Sequence, residues 1–454
     1  MDQKQSTISG QLFRLALPVI GLNVLAVLSI VVDTAMCGRL ENNELVLSAL
    51  GYATQLIFLL MVGMFGISVG TVAMVARAYG AGDSNRVQQV LGQSISLTFL
   101  VSAVIAVVGN IFAGHAMTAL GASPETRDLG LQYLRPLLTG VVFTYLNVLF
   151  TAVLRGVGNT KLPFLVALTY NLINFVINYC LILGNFGFPK LGIQGAAIGT
   201  LVSYACGASM MYVILRRGTV PHVIPPIRPP ALDRSIIRSL LSIGWPAALD
   251  MIILNAAFLS IVGMLGRIDE VAVAAHAIGL RIQGLAFVPG MSISQATAAL
   301  VGQSLGAGDI ERAKKVLAAS LRMCSAVMSV LAIILVTFAD PIVSAFQVAP
   351  GTSLHFYAVM WIQVLGYCMP LVGMYVAFVG LLQGAGATRV SLSINACVTL
   401  LVQIPLSYIL GFPVGWMTFG VWVAFPLGFV LKGALGMVAY KSNVWAKTGT
   451  TVRR

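Results

Sequence analysis

Of the fourteen Asp and Glu residues in this chain, twelve fall at termini, in connections or at the ends of apolar runs, which leaves Asp33 and Asp250 inside apolar sequence. A carboxylate in a medium of low dielectric is costly unless it takes up a proton or holds a cation, so such residues are functional candidates by default. Asp33, in LSIVVDTAMCG, has no basic residue within one helical turn, and the nearest is Arg39. That setting suits a proton- or sodium-coupled step. The competing reading is a carboxyl hydrogen-bonded to neighbouring polar groups as a clamp between helices.

An amide ladder, Asn171, Asn174 and Asn178, lies in YNLINFVINYC. Positions 174 and 178 are four apart and share a helix face. With Asp33 and the hydroxyl of Thr200, in GAAIGT, they supply hard oxygen donors of the kind a small cation prefers. A sodium ion held at Asp33, Asn174 and Asn178 is one expectation; plain interhelical hydrogen bonding, common for Asn in membranes, is the other.

Asp250 follows Pro246 by four residues, and Arg281 lies in the next apolar run. A structural ion pair between them is expected at least as strongly as coupling chemistry, because pairing is how two such charges survive in lipid. His276, in VAAHAIG near the end of its run, reads as a capping or interfacial residue. Gln55, Tyr145 and Asn147 are polar positions placed to face a cavity.

The glycine-rich stretches GAGD, RGVGNTK and QGAGATR contain no GxxxxGK[ST] and follow no strand, so they are read as tight turns rather than phosphate loops. No HExxH, Cys/His cluster or Ser/His/Asp set occurs, which argues against an enzyme and against a cofactor or resident metal. With no nucleotide-binding domain, transport energy is expected from an ion gradient and not from ATP.

The elements that must hold these residues are membrane helices. Apolar residues make up 58% of the 454, and charged residues only 9%, against roughly a quarter charged in soluble domains. The net charge of +13 is spread over short connections, which points to membrane topology and not to nucleic acid. Six cysteines stand singly in apolar stretches and read as small core residues; no cleavable leader is expected at the N-terminus. At ~20 apolar residues per span, twelve spans are predicted: about 12–38, 46–76, 88–113, 133–154, 161–184, 193–215, 237–265, 271–301, 313–338, 354–383, 388–411 and 417–440. Counting Lys and Arg at the termini and even-numbered connections collects 21 of the 27, including Lys4, Lys432, Arg453 and Arg454. Both termini are therefore expected to be cytoplasmic.

Five prolines between Pro221 and Pro230 mark a semi-rigid linker, giving an N-lobe of residues 1–217, a cytoplasmic linker of 218–236 and a C-lobe of 237–454. The halves repeat. Pro18 and Pro246, Gly38-Arg39 and Gly266-Arg267, and GxGxT at 156–160 and 384–388 are all 228 residues apart, and GAGD recurs after 226. Each half has an even number of spans, so the repeats are parallel, about an axis along the membrane normal. The expected fold is an all-α integral membrane protein of two pseudo-symmetric six-helix bundles.

The run LALPVIGLNVLAVLSIVVDTAMCGRL, followed in order by VARAYGAGD, LRGVGNTKLP, VAAHAIGLRI, VGQSLGAGD and LLQGAGATR, resembles the multidrug and toxic compound extrusion (MATE) transporters along essentially the whole chain. The resemblance implies a V-shaped pair of six-helix lobes in a bacterial cytoplasmic membrane, exporting organic, often cationic amphipathic compounds in exchange for protons or sodium ions. It carries the coupling site onto Asp33, Asn174, Asn178 and Thr200; some members have an aspartate where this chain has Asn178. Relatives with a glutamate about eight residues beyond the seventh-span proline are matched here by Leu254, so coupling through the N-lobe alone, as in the DinF-like branch, is the preferred expectation. Asp250 and Arg281 remain secondary candidates.

A monomer that binds small organic molecules, protons or sodium ions and membrane lipid follows from the same reading. The alternative within the superfamily is a lipid-linked oligosaccharide flippase, which would want a cationic cavity for a pyrophosphate, with Arg281 the single candidate. A channel is disfavoured because no filter motif repeats.

Overall fold

The computed structural model of the chain describes residues 7 to 447. Lys4, Arg453 and Arg454, counted above toward the cytoplasmic side, lie outside the described residues. The apolar runs form α1 (Ile8–Cys37), α2 (Asn43–Gly80), α3 (Ser84–Ala119), α4 (Pro124–Thr139), α5 (Val141–Gly156), α6 (Lys161–Leu183) and α7 (Ile193–Arg216). After the linker come α8 (Arg234–Gly266), α9 (Glu270–Gly306), α10 (Ile310–Thr337), the short α11 (Ala339–Ser344), α12 (Ser353–Gly384), α13 (Thr388–Ala396), α14 (Ile404–Gly411), α15 (Met417–Lys441) and α16 (Val444–Lys447). There is no strand among the described residues.

Among the described residues, eleven helical segments are long and apolar enough to cross a membrane, α13 and α14 counting as one, and α4 with α5 makes a twelfth if the bent pair is one span. That pair departs from the straight helix expected over 133–154. It starts earlier, where Ser123 caps the first turn by accepting from the Thr126 amide at 3.2 Å, and it bends by 55°. Pro136 cannot continue the ladder of backbone hydrogen bonds, and the break falls four residues on, at Gly140. The eleventh span also has an irregularity, a π-helical segment over Cys397–Gln403 between α13 and α14. Of the six cysteines read as core, Cys37, Cys324 and Cys368 are buried, while Cys397 faces outward, where a soft apolar sulfur is at home against lipid.

The duplicated motifs do the same work in each half. In both GAGD turns the second glycine is left-handed, Gly82 at φ 70° and Gly308 at φ 76°, a conformation that costs a side chain with a Cβ. The aspartate then caps the next helix: Asp83 Oδ1 accepts from the Arg86 amide at 2.9 Å, and Asp309 Oδ1 from that of Arg312 at 2.7 Å. One turn-rich motif thus ends one helix and starts another. A buried hydroxyl pair also recurs, Thr71 with Ser94 at 3.0 Å and Thr297 with Ser320 at 2.7 Å, each tying the second span of its half to the third.

The chain divides into two compact units, Gly21–Trp245 and Met1–Ile20 with Pro246–Arg454, hereafter the N-terminal and C-terminal units. Both α1 and α8 contribute to each, and the chain changes unit beside Pro18 and Pro246, a repeat-related pair whose missing backbone bond makes a helix easiest to bend. The boundary differs from the linker-based division at 217–237 because the linker is itself pinned within the N-terminal unit. Gln93 clasps it at both ends of its amide, donating to Ala231 O and accepting from the Asp233 amide, each at 2.8 Å. Ser96 donates to Pro230 O at 2.7 Å.

Candidate functional site

In the N-terminal unit, α1 brings Asp33 opposite α6. Asn178 donates through Nδ2 to Asp33 Oδ1 at 2.7 Å and to Asn174 Oδ1 at 3.2 Å, and Asn174 Nδ2 donates to Thr200 Oγ1 of α7 at 3.3 Å. The four residues expected to act together form one hydrogen-bonded chain across three helices. The i, i+4 spacing on α6 stacks the two amides. Asn171, the third rung, turns instead to its own helix and donates to Ala167 O at 2.7 Å.

The Asn178 amide reaches this position because residue 199 is glycine. A Cβ at Gly199 would collide with Asn178 Oδ1. That oxygen is fully buried and has no hydrogen-bond partner among the described residues, an acceptor left over beside a carboxylate. The carboxylate of Asp33, a spare amide oxygen and the Thr200 hydroxyl make a hard-oxygen cluster of the type that holds a proton or a small cation.

Asp33 is only 9% exposed, and what exposure it has opens onto a cavity of about 260 Å³. Ser29, Thr34, Thr54, Tyr133, Thr144, Thr200 and Tyr204 line it among Ile, Leu and Met side chains, and Asp33 is the one charged residue of the lining among the described residues. The chamber is thus mostly apolar, with a few polar handles and a single negative charge. Tyr133 and Tyr204 escape sequence reasoning, since a tyrosine in an apolar span looks the same whether it packs or lines a chamber.

The other cavity candidates are not in this lining. Tyr145 is fully buried and donates to Leu60 O at 2.6 Å; Asn147 donates to Phe143 O at 2.9 Å and Tyr204 O at 2.8 Å. Both are used to fasten helices. Gln55 is exposed beside a separate open hollow with Ser48, Gly51, Tyr52 and Leu120.

In the C-terminal unit, the expected pair of Asp250 with Arg281 is not formed. Arg281 is exposed on α9, while Asp250 accepts from Asn395 Nδ2 at 2.6 Å, and Asn395 Oδ1 accepts from Thr399 Oγ1 at 3.0 Å. Nor is His276 interfacial. It is fully buried, with ring centroids 4.9 Å from Trp361 and 6.4 Å from Trp422. Lys432, counted above among cytoplasmic charges, is 2% exposed and well inside α15. Its nitrogen lies 5.0 Å from the ring centroid of Phe429 and 5.5 Å from that of Tyr375.

Repeated halves of membrane-spanning helices with a chamber set among them are the build of a membrane carrier. The chain belongs to the MatE family, whose model matches twice, over residues 18–180 and 246–409. The two matches begin at the repeated prolines, at the same 228-residue offset that the motifs keep. The protein is therefore a multi-pass membrane transporter and not an enzyme.

Among curated relatives, the probable multidrug resistance protein YoeA of Bacillus subtilis is 27% identical over 96% of this chain and 93% of its own length. The probable multidrug resistance protein NorM of Thermotoga maritima is 26% identical over 98% and 95%. The FAD transporter of Shewanella oneidensis is 28% identical over 95% of each chain. Among solved structures, the crystal structure of MATE in the bent conformation superposes with a TM-score of 0.90 at 20% identity, covering 99% of this chain and 98% of that one. An outward-facing multidrug resistance MATE family transporter of the MOP superfamily gives 0.89 at 20% identity, covering 98% of each. The fold is shared along its whole length.

Proposed function

We propose that the protein is a secondary active antiporter that exports organic, often cationic amphipathic compounds in exchange for protons or sodium ions, with Asp33 as the coupling carboxylate. The observation that carries this reading is the position of Asp33, bonded by Asn178 on one side and open on the other to a chamber whose lining has no second charge. Two relatives are named multidrug resistance proteins, in keeping with a chamber whose contacts are mostly apolar and undirected.

The coupling follows from competition for one charge. An ionised Asp33 attracts an organic cation into the chamber, and a proton or sodium ion taken up at the Asp33, Asn174, Asn178 and Thr200 cluster cancels that attraction and favours release. Each ligand shifts the equilibrium only through its different affinity for the two states. The chamber offers nothing to pair with a pyrophosphate, so export of cations is favoured over flipping of a lipid-linked oligosaccharide. Coupling through this unit alone is the pattern of the DinF-like branch. With Lys432 withdrawn, the sequence count still assigns twenty of the 27 Lys and Arg to one side, which supports cytoplasmic termini in a bacterial inner membrane.

The test is efflux of a fluorescent organic cation from proteoliposomes under an imposed pH gradient and, separately, an imposed sodium gradient. Transport by the wild type should follow one of the two and vanish in Asp33→Asn. Efflux that persists after both gradients are collapsed would overturn the reading.

A further inference from the structure

The Asp250 cluster of the C-terminal unit has the same construction as the Asp33 cluster. In each, a carboxylate on the first span of the half accepts from an asparagine Nδ2 on the fifth, at 2.7 Å and 2.6 Å, and in each the two residues are 145 apart. Yet the clusters are not repeat-related copies. The 228-residue offset carries Asp33 onto Ile261 and Asn178 onto Leu406, so Asp250 and Asn395 both stand eleven residues early. Eleven residues is about three helical turns, ~16 Å along the axis. The first and fifth spans of a half run in the same direction, so an equal displacement on both keeps carboxylate and amide level. The same pairing has been assembled at a different depth.

What differs is the cation. Among the described residues, none that lines the Asp33 chamber is basic. No ion pair joins Lys432 to Asp250, and the two charges act on each other across the intervening space. Lys432 makes no hydrogen bond or ion pair among the described residues, although it is 2% exposed. It is held instead over the faces of Phe429 and Tyr375, whose rings meet edge to face at 5.9 Å. An ammonium over two ring faces with a carboxylate nearby is the arrangement by which proteins recognise an organic ammonium ion.

We propose that Asp250, Asn395, Tyr375 and Phe429 form a second site for a primary ammonium ion, permanently occupied by the chain's own Lys432. The lysine stands where an exchangeable cation would bind, so this unit carries its counter-ion covalently and takes no part in ion exchange. Removing the side chain should open the site to a free alkylammonium ion of matching length. The readout is stability, so the proposal fails or holds independently of the transport reading.

The experiment is chemical rescue of the full-length protein in detergent. Lys432→Ala and the bulkier Lys432→Met should both melt at a lower temperature than the wild type. n-Butylammonium chloride should return about half or more of the loss in Lys432→Ala, and less in Lys432→Met, whose side chain fills the slot. Tetramethylammonium chloride at equal concentration controls for salt and should do neither. Asp250→Asn/Lys432→Ala, which has no charge to satisfy, should melt above Lys432→Ala and not respond to the amine. The proposal is overturned if n-butylammonium raises the melting temperature of Lys432→Ala no more than that of the wild type, or raises that of the double variant equally. If Lys432→Ala fails to fold, the Lys432→Met pair decides: a double variant Asp250→Asn/Lys432→Met no more stable than Lys432→Met alone contradicts a charge-compensated site.

Discussion

Asp33 and Asp250 are each bonded by an asparagine 145 residues further along, but Asp33 opens onto a chamber lined by no other charge among the described residues, whereas Asp250 is within electrostatic reach of the buried Lys432. The contrast separates two uses of an intramembrane carboxylate. A charge with no fixed partner has to be satisfied by something that comes and goes, which is what coupling requires. A charge with a tethered partner is satisfied permanently and serves the fold. Neither use is visible from the carboxylate itself; the surrounding helices decide it.

The largest effect expected is on transport. Asp33→Asn keeps the shape and the hydrogen bond but not the charge, so gradient-driven efflux should fall to the level of empty vesicles while the melting temperature stays near that of the wild type. The opposite pattern is expected in the C-terminal unit. Asp250→Asn leaves Lys432 buried and uncompensated, which should cost about 3 kcal/mol of stability, and a double-mutant cycle with Lys432→Met, read by denaturant unfolding, should recover most of it. An Asp250→Asn protein as stable as the wild type would erase the distinction between the two sites.

Smaller effects sharpen the comparison. Asn178→Ala removes a donor to the carboxylate and a spare oxygen at once. With hydrogen bonds to charged groups worth about 1.5–3 kcal/mol, it should raise the sodium concentration for half-maximal efflux roughly tenfold or more if sodium is the driving ion. Gly199→Ala should act in the same direction through the displaced amide, at an overpacking cost of about 1–3 kcal/mol. Arg281→Ala should change stability by less than about 0.5 kcal/mol, because the side chain is exposed and the pair with Asp250 is not formed; a loss of several kcal/mol on unfolding would restore that pair.

The residues that structure joins around Asp33 are conspicuous in sequence for a physical reason. A carboxylate in LSIVVDTAMCG and two amides four apart in YNLINFVINYC are expensive in lipid, and the expense itself marks them. The repeat is legible too, because turns such as GAGD need a left-handed glycine and a capping aspartate in both halves. The environment of Asp250 is not. Its partner Asn395 is 145 residues away, and Lys432, although inside the expected span of 417–440, reads as one of the charges gathered at the C-terminal end until its burial is seen. His276 misleads in the same way, since proximity to a helix end along the chain does not reveal the tryptophans of α12 and α15 packed over it. The unit boundary is hidden because it lies within two helices, at prolines, and not in the proline-rich linker that Gln93 holds down.

Exchange of a cation at Asp33 and not at Asp250 is the contrast at issue. Its most direct test is a side-by-side measurement of ion-coupled efflux in proteoliposomes for the wild type, Asp33→Asn and Asp250→Asn/Lys432→Met, each under imposed pH and sodium gradients. The predicted result is that Asp33→Asn loses coupling to either gradient, while the double variant keeps the wild-type ion dependence. Coupled efflux in Asp33→Asn, or its loss in a well-folded double variant, would contradict the account.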